Sequence, residues 1–345
     1  MAVDDLSKYG NKYPGLCLDI WNFFHDETIR SMHYDALKRC MGDGVGAKVT
    51  KNSLDFSNKF GSKYKDLYDD RGIMIQPRII SKICDILCEN NMLSKMHVSG
   101  FNLSHGENFY CGFGKEQIPV NVFNQRYFNN IVYGFKYIYE ANKINVLPVY
   151  VRKNITENGV VEEKFYTGTC FKSSYGVVTA KHCITNCNAV SIPGIKSAIL
   201  KEAKIFSQDG VDLVVIVPEL YDRLDVLKLG SGEVLDSTMS MGYPNHAGFG
   251  NFLTATTGQI AAIEKSYLCP AYELMLLTGK IKGGNSGGPV LDKRGNVIGV
   301  ITETADPEGD YDKFGYGMAI PSDYIEKIVK NAEEYTEKIN FVDSI

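Results

Sequence analysis

The apolar positions along this chain change rhythm near residue 145. Before that point they recur at helical spacing. Ile20, Trp21, Phe24, Ile29, Met32 and Leu37 fit one or two helices between about Asp19 and Cys40. From Arg78 to Leu93, the residues Ile79, Ile80, Ile83, Ile86 and Leu87 mark one face of a helix, and Pro77 suits its start. Gly42 to Gly46 reads as a loop, and the Gly- and aromatic-rich run Gly100 to Gly114 as strands and turns. A helix followed by a hairpin is compatible with a winged helix; a small α+β interaction domain is the simpler reading.

After Asn145 the pattern becomes that of strands. Val146–Val151 is a short β-rich run. Lys164–Phe171, Gly176–Ala180, Asp212–Val217, Thr254–Ile263, Leu274–Leu277 and Val297–Thr302 follow, separated by Gly, Asn, Asp and Pro. Short strands at this spacing predict an all-β sandwich or a pair of barrels. The last element, Ser322 to Lys338, is helix-like, with Ser322 as N-cap and Tyr324, Ile325, Ile328 and Val329 on one face. The expectation is two domains: a smaller α+β domain over residues 1–144, then an all-β domain over 145–338 that ends on this helix.

Composition narrows the class. With 44% hydrophobic and 23% charged residues, bulk disorder is excluded. The net charge of −4 divides unevenly: residues 1–144 hold 18 Lys and Arg against 16 Asp and Glu, and the rest hold 19 against 25. Neither part has the basic excess that nucleic acid requires, so a protein partner is favoured for the first domain. No apolar run approaches a membrane span, and the start, Met1-Ala2-Val3-Asp4-Asp5-Leu6, lacks the apolar core of a signal peptide. The nine cysteines then read as reduced thiols of a cytoplasmic protein. Cys84, Cys88, His97, His105 and Cys111 lie close in sequence, but their spacing matches no standard zinc module; no metal and no cofactor are expected.

Three segments carry chemistry. Gly283-Gly284-Asn285-Ser286-Gly287-Gly288-Pro289 offers a nucleophile in a tight turn, with the amides of Gly284 and Ser286 free to point into one oxyanion hole. Val177-Val178-Thr179-Ala180-Lys181-His182-Cys183 runs an apolar strand into a histidine. Val211-Asp212-Leu213-Val214-Val215 sets a carboxylate at the mouth of another, where burial without a partner is costly. His182, Asp212 and Ser286, spaced by 30 and 74 positions, make a triad: Asp212 fixes the tautomer of His182, which takes the proton of Ser286. Each segment alone has a bland reading, as a turn serine, a structural histidine or a turn aspartate; the order His, Asp, Ser decides.

From about Val146 to Val329 the chain resembles trypsin-fold serine proteases, and within them the HtrA/Deg type. The motifs are Gly168-Thr169-Cys170-Phe171, Thr179-Ala180-Lys181-His182-Cys183, Asp212-Leu213-Val214-Val215, Met241-Gly242-Tyr243-Pro244, Thr254-Ala255-Thr256-Thr257-Gly258-Gln259-Ile260, Gly284-Asn285-Ser286-Gly287-Gly288-Pro289, Gly295-Asn296-Val297-Ile298-Gly299-Val300 and Tyr316-Gly317-Met318-Ala319-Ile320-Pro321-Ser322. The resemblance implies a double β-barrel and a serine endopeptidase acting on protein or peptide through an acyl-enzyme. No room remains after Ile320 for the PDZ domain usual in that type, and the first domain matches no family. That domain is expected to recruit a protein partner or gate the protease, as in a bacterial stress or defence system. The rival reading is a pseudo-protease or binding module in which the first domain carries the function.

The resemblance also implies finer features. In trypsins the cysteine after the histidine is disulfide-bonded; here Thr167 lies nearest the partner position, so Cys170, Cys183 and Cys187 are expected as thiols. Asn285 replaces the Asp that pairs with a newly cut N-terminus in zymogens, which disfavours that activation route. The specificity pocket is expected near Lys280, Lys282 and Thr302. A lysine near the place of trypsin's pocket-floor Asp disfavours Arg or Lys beside the scissile bond and suits a small apolar or acidic residue.

Overall fold

The structure, a computed structural model, describes residues 6–24, 51–64, 77–96, 109–111, 125–157, 160–219, 225–245, 250–265, 272–302, 316–331, 335 and 338–345. The chain forms two compact units, residues 1–137 and 138–345. Among the described residues, no helix is long and apolar enough to cross a membrane.

The first unit holds α1 (Ser7–Lys12), α2 (Leu16–Phe24), α3 (Ser53–Phe60), α4 (Pro77–Glu89) and the start of α5 (Gln125–Asn142), with a small sheet of β1 (Lys51–Asn52), β2 (Ser94–Met96) and β3 (Phe109–Cys111) in the order β1-β3-β2. The helical spacing of α4 is what buries it: Ile79, Ile80, Ile83, Cys84 and Leu87 join Leu16, Ile20, Phe24, Phe56 and Phe128 in one core. The helix ends where Asn91 takes a left-handed φ of 58° and the Met92 amide turns back to the Leu87 carbonyl at 2.8 Å. Cys84 is spent on this apolar core. His97 and His105 lie outside the described residues, as do Gly42–Gly46 and most of Gly100–Gly114. Among the described residues no three His, Cys, Asp or Glu side chains are placed to hold a metal ion.

The division between the units falls after Tyr137, inside α5 and seven residues before the change of rhythm at 145. Helix α5 is two helical stretches meeting at Gly134, whose φ of 66° and ψ of −162° are open to glycine alone.

The second unit is β-rich. One antiparallel sheet runs in the order β7 (Ala189–Ser191), β4 (Val146–Glu157), β5 (Val160–Ser173), β6 (Gly176–Thr179), β9 (Val214–Val217), β8 (Lys204–Ser207). The other is a closed barrel of β10 (Ser237–Gly242), β11 (Thr254–Lys265), β12 (Glu273–Leu277), β15 (Gly317–Pro321), β14 (Val297–Ile301) and β13 (Pro289–Leu291). Val149, Val177, Val190, Val214 and Ile216 fill the first sheet, and Ile260, Leu277, Val290, Ile298 and Ile301 the barrel. Helices α6 (Ser197–Lys201) and α7 (Asp323–Asn331) complete it. This is the double β-sheet architecture expected of a trypsin-like domain, and in the chain it follows the smaller α+β unit.

Two elements differ from their sequence signature. β4 and β5 form one long ribbon, paired from Val146↔Phe171 out to Glu157↔Val160. Its outer half mixes charged residues (Arg152, Lys153, Glu162, Glu163, Lys164) with exposed apolar ones (Val160, Val161, Phe165), so a buried apolar face marks only its base. Helix α7 is described as far as Asn331, Lys338 is not helical, and Ser322 is not its side-chain cap. The Ser322 hydroxyl donates instead to the Gly230 carbonyl at 2.6 Å, tying the helix start to the barrel.

Candidate active site

The histidine and serine segments line one cleft of about 560 Å³ in the second unit, and the aspartate segment joins it through His182. β6 ends at Thr179, and a single 3-10 turn, Lys181–Cys183, delivers His182. Asp212 stands two residues before β9, which pairs with β6, so the two side chains are neighbours by register. Asp212 Oδ1 accepts the backbone N–H of His182 at 2.9 Å, and Oδ2 lies 2.7 Å from His182 Nδ1. That pair of bonds holds the ring plane and directs the Nδ1 proton to the carboxylate, leaving Nε2 for proton transfer.

Burial, the largest influence on His182, lowers its pKa. The bond to Asp212 and the contact with Cys183 outweigh it, and the imidazole ends above the ordinary histidine value.

Ser286 sits at the base of the same cleft, in the turn that leads into β13. Gly284 makes the turn, with φ +97°, and a Cβ there would lie 2.5 Å from the Tyr243 carbonyl oxygen. Thr169 clamps the turn to β5. Its amide donates to the Ser286 carbonyl at 2.9 Å and its hydroxyl to the Gly284 carbonyl at 2.7 Å, while that hydroxyl oxygen accepts the Tyr243 amide at 2.9 Å. Among the described residues the amides of Gly284 and Ser286 have no internal acceptor. Two unpaired N–H groups beside a serine are what an oxyanion needs. The Ser286 hydroxyl is buried and makes no hydrogen bond among the described residues. His182 Nε2 lies instead 3.6 Å from the Cys183 sulfur. The structure thus joins His182 to Asp212, brings Ser286 to the same cleft, and leaves the Oγ–Nε2 link open, as is common without substrate.

The expected pocket residues are placed elsewhere. Lys280 and Lys282 are exposed, and neither they nor Thr302 lines this cleft. Thr302 is buried, and its hydroxyl donates to Asp212 Oδ2, the oxygen already engaged by His182. It belongs to the support of the carboxylate, which it reaches from the residue that follows β14. The position over Cys183 is Gly168, not Thr167: a Cβ on Gly168 would stand 2.7 Å from the Cys183 sulfur. Cys17, Cys84, Cys88, Cys170, Cys183 and Cys187 are all free thiols. The residues that sequence patterning did not find are the cleft walls from the β4–β5 ribbon, Val151, Lys153, Phe165 and Tyr166, together with Asn245.

Residues 166–300 match the trypsin-like peptidase domain family. The chain is 29% identical over 188 residues to the periplasmic serine endoprotease DegP of Salmonella typhimurium, covering 52% of this chain and 38% of that protein. It is 23% identical over 256 residues to a probable periplasmic DegP-like serine endoprotease of Buchnera aphidicola, covering 64% and 53%. The chain therefore spans about half or less of the length of these relatives. A solved structure of the HtrA-type protease AlgW with a decapeptide aligns at 21% identity and a TM-score of 0.43 over 56% of this chain and 65% of that one.

Proposed function

We propose that this chain, whose second unit is a trypsin-fold, HtrA-like serine peptidase domain, is an endopeptidase that cleaves protein substrates through an acyl-enzyme. The observation that carries the reading is the doubly bonded His182–Asp212 pair, with His182 on one cleft with Ser286 and with two amides that have no acceptor among the described residues. In this reading Ser286 Oγ attacks the scissile carbonyl and His182 Nε2 takes its proton. The oxyanion forms against the Gly284 and Ser286 amides. His182 then protonates the departing amine, and water repeats the sequence on the ester. Asp212, backed by Thr302, holds the required tautomer and stabilises the imidazolium. The first unit has its own aromatic core and a net charge near neutrality, which supports a role in recruiting a protein partner or controlling access to the cleft. A fluorophosphonate reagent tests the chemistry. It should label Ser286 in the wild-type chain and not in Ser286→Ala, and only the wild type should degrade an unfolded protein. An unlabelled wild type, or equal degradation by both, would make the cleft a binding site and favour the pseudo-protease reading.

A further inference from the structure

The cleft is asymmetric around His182. Nε2, the atom that hands its proton to the departing amine, faces the Cys183 sulfur, and that sulfur lies under Gly168 of β5. The leaving half of a substrate therefore runs over Gly168 towards Thr167, Tyr166 and Phe165. On that side the β4–β5 ribbon presents two unusually exposed aromatics, Phe165 at 62% and Tyr166 at 43%. The register pairs Val151 with Tyr166, which puts Lys153 on the same face two residues along. The Lys153 ammonium reaches the His182 carbonyl at 3.3 Å and stands over the Tyr166 ring at 5.9 Å. The neighbouring basic residues on the outer ribbon have carboxylate partners, Arg152 with Glu163 and Lys164 with Glu162. Among the described residues Lys153 has none, and no acidic side chain lines the cleft.

We infer that Lys153, beside Tyr166, reads the leaving side of the substrate and selects an acidic residue within the first few positions after the scissile bond. This rests on the peptidase reading above. An ammonium with one carbonyl acceptor and no counter-charge gains from a carboxylate, and the Tyr166 ring covers the aliphatic or aromatic residue next to it.

The test is a peptide library of random sequence digested by the full-length chain, with both sides of every cut read by mass spectrometry and Ser286 labelling measured in parallel. At low salt, Asp and Glu should be enriched about three- to fivefold over Lys and Arg at one of the first three positions after the cut, the effect of one partly screened charge pair. The enrichment should fade at about 1 M salt. Lys153→Gln should erase it and Lys153→Glu should invert it; if the reversal prevents folding, the Gln variant decides. Cleavage without this enrichment, an enrichment unchanged in Lys153→Gln, or cuts confined to peptide C-termini would overturn the inference alone. Absence of both labelling and cleavage would overturn the peptidase reading, and the inference with it.

Discussion

Thr302 donates its hydroxyl to the same Asp212 oxygen that faces the His182 ring, although 90 positions separate the two residues. The carboxylate thus collects three donors: the Thr302 hydroxyl, the His182 amide and His182 Nδ1. Thr302→Val keeps the shape and removes one charge-assisted bond. Turnover of a short peptide should fall about tenfold or more, with the melting temperature little changed. An unaltered kcat/KM would show that the other two donors suffice to hold Asp212.

Asp212→Asn should cost about four orders of magnitude in kcat, because an amide favours the wrong His182 tautomer. The fold should persist, which circular dichroism checks. A loss under tenfold would mean that another carboxylate orients the ring.

The raised pKa of His182 makes activity and stability respond to pH in opposite senses. The base must be neutral to act, so peptide turnover should rise with pH through a value above the ordinary 6.5. For stability, a group whose pKa is raised on folding contributes fully below 6.5, and that contribution is lost as pH climbs through the folded value. A kcat/KM profile with its rising limb at or below 6.5 would contradict the coupling to Asp212.

Gly168→Cys should cross-link to Cys183 under oxidising conditions. A Cβ at residue 168 stands 3.3 Å from the Cys183 Cβ, just under the usual disulfide range of about 3.5–4.5 Å. Intact-mass counting of alkylated thiols should find two fewer in the oxidised variant than in its reduced form, and Cys170, Cys183 and Cys187 all alkylated in the wild type. An undiminished count in the variant would displace Gly168 from above the sulfur.

A chain starting at Gly134 retains the buried Ile138 and Asn142 of α5 and every residue of the cleft. It should fold, label at Ser286 and cleave short peptides at least as fast as the full chain. Failure to fold would make the first unit part of the peptidase core.

The legible parts of the site were those carried by short stretches of sequence. His182 follows an apolar strand, Asp212 opens another, and Ser286 sits among glycines; each local pattern survives into the structure as a strand end or a tight turn. Thr302, Gly168 and Lys153 gain their places from register between strands far apart in the chain, which no local pattern encodes. The same limit hid the outer β4–β5 ribbon, where both faces meet water. Helix α4 was legible because one face is buried throughout, whereas Ser322 shows that a residue of capping type can be claimed by a tertiary carbonyl.

The ribbon also sets how the protein behaves in concentrated solution. Among the described residues its edges have no partner strand beyond the pairing of β4 with β7 and of β5 with β6, although the Asn154 amide donates to Asn188 Oδ1 and the Thr169 amide to the Ser286 carbonyl, and Val160 and Val161 near its end are about 60% exposed. Bare edges bearing β-branched residues template pairing between molecules, and the charged side chains of Arg152, Lys153, Glu162, Glu163 and Lys164 are what keep neighbouring copies apart. The behaviour of a concentrated stock is therefore set by the exposed outer ribbon and its charges rather than by the packed core.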